Sequence, residues 1–239
     1  MYRMDAKNRS IGEMFSAIAP RYDFLNRLLS AGIDRRWRKL AVRALLPARG
    51  GRYLDVATGT ADVALEIFRQ KGDEARVTGA DISMGMMRFG QQKVSMSGLS
   101  GRMAFVQAPC ESLPFRDGAF DSASIAFGIR NVVDRARGLS EMCRIVRPGG
   151  RIVILEFSLP ENRFFAMIYN FYFNTLLPRI GGLFSNKSAY VYLPESVHAF
   201  PSPEAFRKMM LDAGCASVDT RPLTFGIATL YVGTRPAAP

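Results

Sequence analysis

The sequence predicts an α/β domain, doubly wound about a mostly parallel, seven-stranded sheet, with a helical segment before it and an apolar insert late in the chain. Three observations carry this. Apolar runs at 53–58, 77–82, 103–108, 120–127 and 151–157 alternate with helical stretches at 61–70, 84–97 and 132–146, which is the βα order of a parallel sheet. The first run enters a loop of small residues, Tyr53–Asp62 (YLDVATGTAD), and the second, Val77–Ser83 (VTGADIS), ends on a carboxylate. Together they read as a nucleotide-handling βαβ unit. Two more strand-like runs, Ser217–Leu223 and Ile227–Arg235, follow a last helix at Pro203–Ala213 and close the sheet.

Residues 1–50 read as helical, with breaks at Pro20 and Gly32. Met14, Phe15, Ile18, Tyr22, Leu25, Leu28 and Leu29 recur there at mixed three- and four-residue spacing. In the first loop, Ala57, Gly59 and Ala61 let the backbone approach a ligand. Asp81, followed by Ile82, is placed to accept both hydroxyls of a ribose. The bland alternative is a glycine at a strand-to-helix turn with two incidental aspartates. The loop lacks the full G-x-G-x-x-G and the Walker lysine. An adenosine ligand without phosphates therefore fits better, and S-adenosylmethionine is the common one. Asp55, inside the loop strand, is expected to anchor its methionine end. Arg147–Gly150 is a turn that delivers the chain into the fifth strand, Arg151–Phe157.

Residues 160–200 break the pattern with Phe164, Phe165, Met167, Phe171, Tyr172, Phe173 and Leu176 among others. Asn170, Asn174, Pro178 and Arg179 interrupt this run, and a membrane span needs about 20 mostly apolar residues. A lid over an apolar substrate is the preferred reading, with a buried helix pair as the alternative.

At 239 residues and 48% hydrophobic content, the chain suits one domain over 1–239. Its start, Met-Tyr-Arg-Met-Asp, has no apolar core of a secretory signal. Cys110, Cys143 and Cys215 form neither a CxxC pair nor an even framework. A cytoplasmic protein without a metal site or disulfides is expected. Net charge is +11, with a cluster at Arg35, Arg36, Arg38, Lys39 and Arg43. A solvated helix face, nucleic acid and an anionic membrane surface all fit it, and charge does not separate them.

The fourth strand runs into Phe127-Gly128-Ile129-Arg130-Asn131. Ligands in such sheets bind beyond the carboxyl ends of the strands, so Arg130 and Asn131 fall near the site. A guanidinium there can stabilise a developing phenolate. The alternatives are a surface cation at Arg130 and a helix N-cap at Asn131. Asp62 is either a first-turn carboxylate favoured by the helix dipole or the group that orients the acceptor or a water. His198, between Pro194 and Pro201, reads as a surface or packed loop residue. Pro109-Cys110 has the form of a cytosine-methylating nucleophile, but it follows the third strand, where adenine lies, instead of the fourth.

Tyr22-Asp23-Phe24-Leu25-Asn26, continuing to Ser30 and Trp37, resembles the first signature of the ubiquinone/menaquinone biosynthesis C-methyltransferases. Arg144–Gly150, running to Glu156-Phe157-Ser158, resembles the second, and Phe127–Asn131, Tyr190–Ser196 and Leu223–Ile227 also look like that family. The resemblance covers nearly the whole chain. It implies a cytoplasmic enzyme that methylates a ring carbon of a prenylated hydroquinone; peripheral contact with the inner face of the membrane is a further expectation. It implies cofactor contacts at Thr60, Asp81 and the Pro109–Cys110 pair, and catalytic roles near Tyr22, Asp62, Arg130 and Asn131. Departures from the family pattern fall at Asp34 (usually His), Thr58 and Ala61 (usually Gly), Pro109-Cys110 (usually an acidic residue or Asn, then Ala) and Ala126 (commonly Ser). Proline offers neither an acceptor for the adenine amine nor an N–H.

The resulting expectation is C-methylation of demethylmenaquinol or a related benzoquinol, with no nucleic-acid partner and with homodimerisation left open. An RNA methyltransferase, favoured by the charge, and an impaired quinone- or membrane-binding paralogue are the alternatives.

Overall fold

The computed structural model describes residues 6–30, 32–46, 50–160, 167 and 187–237. One seven-stranded sheet organises them, formed by β1 (Arg52–Val56), β2 (Arg76–Asp81), β3 (Met103–Gln107), β4 (Phe120–Ala126), β5 (Val146–Phe157), β6 (Ser217–Leu223) and β7 (Ala228–Thr234). The order is β3-β2-β1-β4-β5-β7-β6, and the seven-stranded, mostly parallel sheet is the one the sequence predicts. β1 to β5 pair in parallel, and β7 runs antiparallel between β5 and β6. Chain progression reverses direction between β1 and β4, which opens a crevice at their carboxyl ends.

Both faces of the central strands are covered, so β1, β4, β5 and β7 are largely buried, whereas the edge strand β6 alternates buried and exposed residues. On one face Leu54, Val56, Ile125, Ile152 and Ile154 meet Leu139 and Met142 of α5 (Arg135–Ile145) and Phe206 and Met210 of α7 (Pro203–Asp212). On the other, Tyr53, Val77, Val153 and Leu155 meet Trp37, Ala41 and Val42 of α2 (Ile33–Ala44) and Val63, Ile67 and Phe68 of α3 (Asp62–Lys71). α4 (Met84–Met96) follows β2 and is capped by Ser83, whose hydroxyl accepts from Met86 N at 3.2 Å.

Several sequence expectations are corrected. Helix α1 (Ala6–Leu29) runs through Pro20 without a break. Proline costs a helix one hydrogen bond, but α1 has tertiary partners on both sides of it, Ser16 on Ser83 and Asp23 on Thr60. The break comes at Gly32, whose φ of 77° suits glycine. β5 begins at Val146, and the register shifts between Phe120 and Ser122, so the Arg147–Gly150 turn lies within the strand as an irregularity. α5 is capped by Asp134, which accepts from Arg137 N at 3.0 Å. Asn131 is therefore not the N-cap. His198 is the exposed last residue of α6 (Lys187–His198), not a loop residue. The aromatic run of the proposed lid lies outside the described residues apart from Met167, which is exposed.

Candidate active site

The loop after β1 alternates left-handed residues: Ala57 at φ 50°, Gly59 at 54° and Ala61 at 66°. Two of these are not glycine, and such a conformation persists only where surrounding contacts enforce it. Buried Asp55 supplies them. Its oxygens accept from Thr58 Oγ1 at 2.8 Å and Ser124 Oγ at 3.0 Å. Burial pushes its pKa up to about 7, against those two hydrogen bonds. Thr58, a departure from the expected glycine, thus ties the loop to the strand below. Asp55 does not line the pocket. Its carboxyl group is engaged beneath the loop by Thr58 and Ser124.

Asp81 does line it. One oxygen accepts from Gly59 N and the other from Ser83 N, each at 2.8 Å. Burial pushes its pKa up to about 6, with the backbone N–H groups opposing. A buried carboxylate beside a loop without side-chain bulk fits the ribose of an adenosine ligand.

The pocket encloses about 630 Å³ of empty space, its open mouth included. Val56, Ala57, Gly59, Asp81 and Ile82 form its floor, and Ala108, Cys110, Glu111 and Val132 one wall. Ala126, Phe127, Gly128 and Asn131 close the far end. Gly128 is required there, because a Cβ would stand 2.5 Å from that of Ala57. The roof is α1: Asn8, Ile11, Phe15 and Tyr22 share one helical face over the cavity. The sequence signalled α1's apolar periodicity but not that its partner is the pocket.

Arg130 is 8% exposed, which excludes the surface-cation alternative. Its Nη1 donates to Glu156 Oε1 at 2.7 Å and to Phe127 O at 2.6 Å, and its Nε to Ser196 Oγ at 3.3 Å. Burial alone would lower its pKa; the charge of Glu156 outweighs this and raises it. Arg130 itself does not line the pocket, whereas Phe127, Gly128 and Asn131 around it do. Asn131 Oδ1 accepts from Tyr192 Oη at 2.9 Å. Burial raises the pKa of Tyr192, while Arg130 opposes. Sequence reasoning missed the roles of Tyr192 and Glu156, although both fall inside the family-like segments.

Thr60 and Asp62 are not lining residues. Thr60 Oγ1 donates to Asp23 Oδ1 at 2.6 Å. Lys93 bridges Asp23 and Asp62, the latter at 2.7 Å. Arg38 pairs with Asp62 at 3.2 Å and with buried Asp34, which also accepts from Ser30 Oγ at 2.7 Å. Burial pushes the Asp62 pKa up, but Arg38 and Lys93 outweigh it and hold the carboxyl below its ordinary value. Pro109 does not line the cavity. Cys110 does, but burial, with Glu111 and Glu141 nearby, pushes its thiol up, so it stays protonated and is no nucleophile.

Fold and pocket together define the class: an S-adenosylmethionine-dependent methyltransferase built on the seven-stranded sheet. Solved structures with this fold include the cyclase SpnF (TM-score 0.69, 16% identity, 97% of each chain). Another is an S-adenosylmethionine-dependent methyltransferase from Aquifex aeolicus (TM-score 0.60, 16% identity, 82% of this chain and 88% of that one). At such identity the likeness concerns the fold alone. The chain belongs to the ubiE/COQ5 methyltransferase family, which matches residues 3–235. It is 57% identical over 235 residues to the ubiquinone/menaquinone biosynthesis C-methyltransferase UbiE of Geobacter sulfurreducens, covering 98% of this chain and 92% of the relative. It is 50% identical over 224 residues to the demethylmenaquinone methyltransferase of Thermus thermophilus, covering 93% and 100%.

Proposed function

We propose that the protein moves the methyl group of S-adenosylmethionine to a ring carbon of a prenylated hydroquinone, converting demethylmenaquinol to menaquinol. The observation that carries this is a two-ended pocket. One end holds the buried carboxylate Asp81. The other holds Asn131 and Tyr22, with Arg130 immediately behind. The family relatives, named for this chemistry, support it.

The cofactor supplies an electrophilic methyl on a sulfonium. The chain binds and orients around it. Asp81 holds the ribose hydroxyls, and Ala57 and Gly59 let the backbone come close. At the acceptor end, Glu156 fixes Arg130, and Tyr192 fixes Asn131. Preorganised donors of this kind stabilise negative charge as it builds on the ring oxygen. Holding the ring carbon in line with the methyl supplies much of the rate. Asp62, engaged by two cations, positions α1 through Lys93 instead of orienting water.

The acceptor's prenyl tail implies a membrane surface. Arg35, Arg36, Lys39 and Arg43 of α2 are exposed and suit an anionic one. Among the described residues no helix is long and apolar enough to cross a membrane.

The test supplies labelled S-adenosylmethionine with demethylmenaquinol or the corresponding unmethylated benzoquinol. Label should enter the naphthoquinol pool. Label in the benzoquinol alone would replace the substrate, and label in neither would overturn the reading.

A further inference from the structure

By the family resemblance the adenine side of the pocket lacks its usual acceptor, because Pro109 stands where that family has an acidic residue or Asn. The structure holds another carboxylate on that wall. β3 lies next to β2, with Gln107 opposite Asp81. The chain leaving β3 therefore passes beside the ribose carboxylate, and Ala108 N donates to Asp81 O at 3.1 Å. Two polar side chains of this segment line the cavity, Cys110 and Glu111. The neutral thiol is a weak acceptor. Glu111 is only 4% exposed. Its Oε1 accepts from Val133 N at 3.0 Å and Asp134 N at 3.3 Å. Its other oxygen accepts from no group among the described residues. Taking a carboxylate out of water is costly unless its lone pairs are met. Glu111 lines the pocket with one oxygen left without a protein donor, so a ligand that displaces water there must supply a donor in its place.

We propose that Glu111 reads the exocyclic amine of the adenine ring, replacing the acceptor absent at Pro109. This rests on the cofactor assignment above. The nucleoside is then held by a carboxylate at each end, Asp81 on the ribose and Glu111 on the base. Ile82, Met86 and Val132 supply apolar surface between them. The two backbone N–H groups fix the Glu111 side chain in advance, so little side-chain entropy is lost on binding.

The amine is a donor, whereas the 6-oxo group of hypoxanthine is an acceptor, so the base itself gives the test. Calorimetry would compare S-adenosylhomocysteine, S-inosylhomocysteine and the analogue with hydrogen at carbon 6. The wild-type protein should prefer the adenine ligand by about tenfold or more over either. Glu111→Gln should weaken the adenine ligand by about tenfold and hold or strengthen the inosine ligand, because the amide can donate to the 6-oxo group. The preference then collapses.

A merely structural role, through Val133 and Asp134, would weaken all ligands alike and leave the ratio intact. That outcome overturns the proposal. Equal wild-type affinity for the adenine and carbon-6-hydrogen ligands overturns it without any variant. If Glu111→Gln does not fold, Glu111→Asp is read by the same ratio, which must fall because the shorter carboxylate no longer reaches. Wild-type protein that binds none of these ligands would overturn the cofactor assignment itself.

Discussion

At the scale of single residues, two buried aspartates give opposite pH signatures. Asp55 has a folded-state pKa of about 7 against an ordinary 3.8. A carboxyl that holds its proton more tightly when folded contributes stability that is fully present below pH about 4 and is lost as pH rises through about 7. The neutral isostere in Asp55→Asn removes that dependence. Wild-type stability relative to this variant should fall between about pH 4 and 7 and level off above that, by on the order of a few kcal/mol in all, as urea titrations at several pH values would read. Asp81 acts on binding instead. Ribose hydroxyls need an ionised acceptor, and its pKa is about 6. Affinity for S-adenosylhomocysteine should be level above that pH and fall by up to about tenfold per unit below it. Asp81→Asn should bind about tenfold or more weakly at neutral pH and flatten the profile. At the acceptor end, Arg130→Ala strands Glu156, which is 0% exposed, as an unpaired charge. The expected loss is about 3–5 kcal/mol of stability. Arg130→Lys keeps a cation there but not the planar fork. It should fold, bind cofactor within about twofold, and lose turnover by about tenfold or more. Near-normal turnover in Arg130→Lys would leave the arginine a purely structural ion-pair partner.

At the scale of elements, α1 is the informative one. It roofs the pocket with one face and is tied at two points, Ser16 to Ser83 at 2.8 Å and Asp23 to Thr60 and Lys93. Lys93 also holds Asp62 at the start of α3, so the roof helix and α3 share one cation. Lys93→Met leaves two carboxylates facing each other without it. The roof should loosen, and bound S-adenosylhomocysteine should leave faster by about tenfold, the equivalent of ~1.4 kcal/mol. Stopped-flow displacement measures this. An unchanged off-rate would mean that packing of Ile11 and Phe15 alone keeps the roof in place. The sequence marked Asp62 as a carboxylate at a helix start but could not show that its cations come from α2 and α4.

At the scale of the whole molecule, the charge of +11 is unevenly used. Arg38, in the middle of the basic cluster, is buried with Asp34 and Asp62, whereas Arg35, Arg36, Lys39 and Arg43 face solvent. Exposed cations attract an anionic bilayer by about 1 kcal/mol each near its surface, and salt screens them. Cosedimentation with phosphatidylglycerol vesicles should therefore be strong at low ionic strength and lost at about 1 M salt, where the Debye length falls to about 3 Å. Phosphatidylcholine vesicles should not retain the protein. Replacing the four exposed cations with glutamine should abolish sedimentation without changing cofactor affinity. If that variant sediments as well as the wild type, another surface meets the membrane.

What the sequence determined by itself is what local pattern encodes. Apolar runs alternating with helices set the sheet and its winding, because central strands buried on both faces must be largely apolar. The small-residue loop and Asp81 marked the cofactor end, because such chemistry sits at fixed offsets within one βαβ unit. Tertiary structure alone decided who stands opposite whom. Glu156 behind Arg130, Tyr192 on Asn131, α1 over the pocket and Glu111 on the backbone of Val133 and Asp134 each join residues apart along the chain. Pairings of this kind depend on how elements stack across the sheet, and no periodicity in the sequence reports that.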